Sequence, residues 1–120
     1  MENKPIISDD PMYRLLREGK IEEFNSQKKE GEVCDFQSCD FRSLDLRGLN
    51  AYGIDFRGAY FRQTDLKGID FRGALLEGAT INGAKISGAY FPKTILAQEI
   101  LLSLEHGTRL RLSGKEKKKG

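Results

Sequence analysis

Cys34 and Cys39 are the first residues of this 120-residue chain whose type and spacing suggest chemistry. Two thiols five apart could hold a soft metal or cycle through a disulfide. A structural zinc site needs four Cys or His ligands. The chain has two Cys and one His, so the set is never completed. That histidine, His106, precedes Gly107 at the expected end of a helix, where it reads as part of a cap. It has no partner at motif spacing, and no Ser-His-Asp or Cys-His set can be assembled around it. Aspartates are plentiful enough for acid–base work. Those of the repeat, however, all occupy the same register position, commonly two residues before a basic one, as in Asp45–Arg47 and Asp65–Lys67. Paired exposed charges of this kind read as a solvated face. The spacing G-x-x-x-x-G recurs, for example from Gly53 to Gly58 and from Gly78 to Gly83. No copy is followed by the Lys-Ser/Thr of a phosphate loop. No catalytic, cofactor-binding or metal-binding residue is therefore assigned, and the chain is expected to be neither an enzyme nor dependent on a cofactor.

The element that positions all these residues is a repeat. From Cys34 to Lys93 the chain divides without a gap into blocks of five, beginning CDFQS, CDFRS, LDLRG, LNAYG and IDFRG. The central residues are Phe36, Phe41, Leu46, Ala51, Phe56, Phe61, Leu66, Phe71, Leu76, Ile81, Ile86 and Phe91. Only Ala51 is small. The residue two before each centre is apolar or small, and the centre is flanked by polar residues. Glycine closes eight of the twelve blocks. A step of five turns an α-helix through about 500°, which would smear the apolar stripe around it. Glycine every fifth residue would also cost about 1 kcal/mol each inside a helix. A long strand is excluded too, because its side chains alternate with a period of two. What remains is a chain that bends once per block with two side chains pointing inward. Four blocks then close one square turn, and twelve blocks make three turns, stacked at ~4.8 Å.

This stretch resembles the pentapeptide-repeat family, whose loose motif A(D/N)LXX has a large apolar centre and a small residue two before it. The resemblance implies an all-β solenoid, a right-handed quadrilateral β-helix of about three coils. Leu44, Leu49, Ile54 and Ile69 are bulkier than the family usually has at the small position. Leu49 is compensated by Ala51 in its own block, as close packing requires. Residues twenty apart should form columns, with Phe36, Phe41, Phe56, Phe61 and Phe71 filling the first two turns. A filled interior leaves function to the outside.

The flanks read as covers for the two ends of the stack. Residues 1–33 form a lead-in and two short helices. The first is capped by Asp10 with Pro11 at its first position, and the second runs from Lys20 to about Lys29 with Gly31 as its stop. Residues 94–112 should supply a helix from Thr94 to Glu105 and a short strand from Thr108 to Leu112. Residues 113–120 read as a disordered basic tail. The three parts 1–33, 34–93 and 94–120 carry net charges of −2, +1 and +3. The start of the chain has no basic region followed by an apolar one, and no stretch is long and apolar enough for a membrane span. A cytoplasmic location is expected, with no membrane partner.

Function on this reading is non-catalytic scaffolding for protein–protein interaction. Arg42 and Arg62 fall in one column with Tyr60 on the same face. Tyr52 and Tyr90 share another. Arg and Tyr are favoured in interfaces. Some relatives in the family pair through their C-terminal elements, and here Leu101, Leu104, Leu110 and Leu112 would form such a surface. The expected partner is an unidentified protein or a second copy in a homodimer. The alternative is the DNA mimicry of certain family members that modulate DNA gyrase, a topoisomerase. That role needs a dense anionic rod, which a repeat of net charge +1 does not offer. Nucleic acid is likewise not expected as a ligand.

Overall fold

In the computed structural model, residues 4–28 and 34–114 are described. Gly31 and the basic tail from Lys115 onward lie outside the described residues. The repeat returns to itself every twenty residues. Parallel bridges join Asp35 to Asp55 and Asp55 to Leu75, Asp40 to Tyr60 and Tyr60 to Thr80, and Asp45 to Asp65 and Asp65 to Lys85. A further bridge joins Asp70 to Tyr90. Four blocks per return is the register that the period of five demands. Pairing is confined to isolated bridges, and no longer strand is formed among the described residues. Each block is too short for one, since it is taken up by a bridging residue, a centre and a turn.

The turn explains the glycines. The carbonyl of every centre but Phe91 accepts from the amide three residues on, as in Phe36 from Cys39 (3.1 Å) and Phe56 from Ala59 (2.9 Å). Except at Gly73 and Lys93, the residue that closes the block takes a positive φ, as at Gly58 (φ 72°) and Gly78 (φ 82°). A turn with φ > 0 at its third position favours glycine. Ser38, Ser43 and Gln63 adopt the same conformation with side chains, at φ 59° to 63°. At Gly78 an added Cβ would also lie 3.5 Å from the Gly58 nitrogen of the coil beneath. Gly78→Ala is therefore expected to lower stability by about 1–2 kcal/mol in urea titrations. A change below a few tenths would contradict the strain argument.

Ten of the twelve centres are buried; Ile86 and Phe91, near the C-terminal end, are half-exposed. Leu49 and Ala51 are both buried, as the volume argument expects. The phenylalanines touch in edge-to-face and stacked pairs along and across the coils, with Phe41 and Phe61 stacked at 5.4 Å.

Helix α1 spans Pro11–Arg17 and α2 spans Ile21–Lys28. Asp10 caps α1 by accepting from the Met12 amide (3.0 Å). Tyr13, Leu16 and Phe24 are fully buried on this end, with Tyr13 edge-on to Phe36 and Phe41. The same helices satisfy backbone groups that the first coil leaves open. Tyr13 donates to the Asp40 carbonyl (2.6 Å). The Asn25 amide bonds both the Gly48 carbonyl (2.9 Å) and the Asn50 amide (2.8 Å), as a peptide group of a further coil would. Ile6 adds one parallel bridge, to Cys39.

Helix α3 spans Ala97–His106, three residues later than the pattern suggests at its start, because residues 92–95 form a turn closed by Ile95 to Pro92 (3.0 Å). The expected strand over 108–112 is an extended segment with one pairing residue. Leu110 accepts from Gly78 (2.7 Å) and donates to Ala79 (2.9 Å).

Candidate functional site

The repeat's charged pairs are built by local geometry. Within a block the Asp carboxylate accepts from the backbone amide two residues on, and the side chain of that residue folds back onto the same carboxylate. Arg47 does this with bonds of 2.9 and 2.7 Å to Asp45, and Arg57 repeats it on Asp55. Arg72 repeats it on Asp70. This bidentate fork is the stronger form of an ion pair. The side-chain hydrogen bonds from Arg47 and Arg72 pull the Asp45 and Asp70 carboxyls down to about 2. Such groups stay ionised at neutral pH and make poor general acids. Cys39 is no better as a nucleophile. Burial, then the carboxylates of Asp35, Asp10 and Asp40, push its thiol up to about 11.

Of the six basic residues that follow a centre, one, Arg62, lacks the aspartate. Tyr60 stands where the neighbouring blocks have aspartate, so Arg62 has no carboxylate of its own. Among the described residues its guanidinium makes no hydrogen bond or ion pair. The coil beneath keeps the rule. There Arg42 forks onto Asp40 (2.9 and 2.9 Å), and those bonds hold the Asp40 carboxyl below its usual range although burial pushes it up. Above, Thr80 and Asn82 continue the two columns.

A third arginine reaches this face from the C-terminal segment. Arg109 donates to the Gly78 carbonyl (2.6 Å) and to the Tyr60 hydroxyl (2.9 Å), and its guanidinium lies 5.2 Å from the Tyr60 ring centre. Arg42, Arg62 and Arg109, with His106 at the end of α3, open onto one cleft of about 380 Å³. No lining residue is acidic. The sequence brings Arg42, Tyr60 and Arg62 to this face, as expected. It gave no sign of Arg109, which meets Tyr60 across 49 positions.

Tyr52 and Tyr90 are both exposed on another wall. The Arg72 guanidinium sits 4.4 Å from the centre of the Tyr90 ring. The Tyr52 ring lies against Gly73, where a Cβ would approach it to 2.4 Å.

The four leucines expected to form a surface are divided. Leu101 is exposed (56%), Leu104 and Leu112 pack half-buried against the core, and Leu110 is 1% exposed and belongs to the core. Leu110 is buried because its backbone pairs with Gly78 and Ala79, which turns its side chain onto the last coil. Helix α3 buries a mixed face, with Ile100 and Leu104 packed against the core beside two polar residues. Polar Glu99 and Ser103 are buried, while Leu101 and Leu102 face solvent. Ser103 answers the orphaned backbone of the last coil, and Glu99 answers the C-terminal segment. Ser103 Oγ accepts from the Ile81 amide (3.0 Å), and Glu99 accepts a fork from Arg111 (3.1 and 2.6 Å). Leu96, just before the helix, is also exposed. The cover stops short: among the described residues the amides of Ile86 and Gly88 find no acceptor, and Ile86 and Phe91 are half-exposed.

No helix is long and apolar enough to cross a membrane, among the described residues. Residues 54–92 match the family model for pentapeptide repeats, in eight copies. The match covers the second and third coils. The four blocks from Cys34 to Gly53 lie outside it but share the same register of bridges. No curated protein and no solved structure matches the chain.

Proposed function

We propose that this chain, whose residues 54–92 are pentapeptide repeats, is a non-catalytic scaffold for protein–protein interaction, built as a right-handed quadrilateral β-helix and self-associating through its C-terminal end. One observation carries the reading. Helix α3 turns Ser103 onto the last coil and Glu99 onto Arg111, packs Ile100 and Leu104 against the core, and presents Leu101 and Leu102 outward. An exposed apolar group beside a partly open coil edge marks an interaction site. The occupant is a second copy, because Leu101 and Leu102 with the half-exposed Ile86 and Phe91 offer a second such end an apolar surface of the same kind. The depressed carboxyls and the raised Cys39 thiol support the non-catalytic part. Nothing favours mimicry of DNA, since most of the repeat's aspartates carry their own arginine or lysine.

The test uses light scattering at micromolar concentration. The native chain is expected to run as a dimer, and Leu101→Glu with Leu102→Glu as a monomer. Both substituted sites are exposed, so melting should shift little. A monomeric native chain would refute self-association.

A further inference from the structure

We propose that the arginine-lined cleft receives an extended acidic segment of a partner protein, with Arg62 as its grip. This rests on the scaffold reading and names the chemistry of one partner. The neighbouring blocks supply a carboxylate to their own basic residue. The block of Arg62 supplies Tyr60 instead, and among the described residues the guanidinium is left without a counter-ion. Its neighbours do not relieve it. Arg42, one coil below, is of like charge and already forked onto Asp40. Arg109, above, is held by the Gly78 carbonyl and the Tyr60 hydroxyl, both neutral.

The cations lie along a line rather than around a point. Arg17 of α1 reaches the Asp40 carbonyl (3.4 Å) and shares a second cleft with Arg42 and Arg62. Arg17 lies below the first coil, Arg42 and Arg62 lie in the first and second, and Arg109 reaches down from the segment over the third, past Asn82, to Gly78 and Tyr60, a stripe of about 14 Å or more on the spacing of stacked chains. A small oxyanion would touch only part of this stripe. An extended peptide of four or five residues, at about 3.3 Å each, spans it, and its alternate side chains face one way. A carboxylate on the facing side of the peptide would meet the unpaired Arg62 guanidinium in a fork, with the charges of Arg17, Arg42 and Arg109 around it. Nucleic acid fits less well. The aromatic ring here, Tyr60, lies under the Arg109 guanidinium and offers no platform for a base.

The probe is a fluorescein-labelled peptide of alternating Glu and Gly, titrated by anisotropy with the full chain at low and high salt. Saturable binding that weakens with salt is expected, with none for the matching Gln–Gly peptide. Arg62→Ala should weaken binding at least about tenfold. Tyr60→Asp restores the carboxylate common to the repeat and should weaken it as much while the fold is kept. Arg72→Ala, on another wall, should stay within about twofold. The proposal is overturned if the Glu peptide does not bind, if Arg72→Ala weakens it as much as Arg62→Ala, or if a DNA duplex binds more tightly and loses that binding with Arg62→Ala. Light scattering on the same samples separates the two ideas. A monomer that binds the peptide refutes self-association alone, and a dimer that ignores it refutes the cleft alone.

Discussion

Replacing Phe56 by alanine is expected to lower stability by about 3–5 kcal/mol, the range for emptying a large aromatic site in a packed core. Phe56 is fully buried and its ring meets four others: Phe36 at 6.1 Å, Phe41 at 5.6 Å, Phe61 at 5.2 Å and Phe71 at 6.0 Å. Edge-to-face pairs add to simple burial. The site should also collapse poorly. Its backbone is pinned from above by Phe56 to Leu75 (2.8 Å), and its neighbour Asp55 accepts from Phe36 below (2.8 Å). A coil held on both sides cannot move in to fill the space, and the cavity term grows with what stays empty. Phe91→Ala is the comparison. Phe91 is half-exposed at the end of the stack and keeps one ring neighbour, Phe71 at 5.7 Å. Its loss should be less than half as large in the same urea titration. Equal losses would mean that the interior is not the closed stack that the repeat implies.

That closed stack is the part of the molecule most legible in the sequence. Phe36, Phe56 and Leu76 share a column because a period of five and a four-block return leave no other register. The volume exchange between Leu49 and Ala51 could be read for the same reason. The pairing of Arg47 with Asp45 is local, so it too was legible. The ends were not. Glu99 and Ser103 look like the solvent face of an amphipathic helix. They are buried because the Ile81 amide of the last coil finds its acceptor in Ser103 and Arg111 finds its counter-ion in Glu99, demands that hydrophobic periodicity does not encode. Leu110 follows: its alternation with Arg109 and Arg111 suggested an exposed strand, yet one pairing residue suffices to bring it into the core. The candidate site was half legible. The missing aspartate at Tyr60 stands in the sequence as a break in register. Its consequence depends on Arg109, whose place is set by how residues 107–112 cross the last coil.

Leu110→Asp is expected to release that crossing and cost at least about 3 kcal/mol, since it combines a lost apolar contact with a buried, unpaired charge. Leu110 is 1% exposed. Two bonds hold its backbone to the coil, and the groups around it on that side are few. Arg109 grips Gly78 and Tyr60 on one flank, and Arg111 grips Glu99 on the other. These exposed arginines are screened by solvent and would not hold a segment whose central side chain is rejected. A stack of repeats passes such damage only to its neighbour. Hydrogen exchange should therefore speed up first at the Gly78 and Gly83 amides, which donate to Leu110 and Leu104. The amides of Ser43 and Leu46, paired between the first two coils, should stay protected. The variant would also uncover Leu76 and Ile81, which are buried in the native chain, and so raise aggregation. Uniform acceleration across all coils would instead mean that residues 94–112 are part of a single cooperative unit with the repeat. A loss below about 1 kcal/mol would mean that the segment is no cover at all.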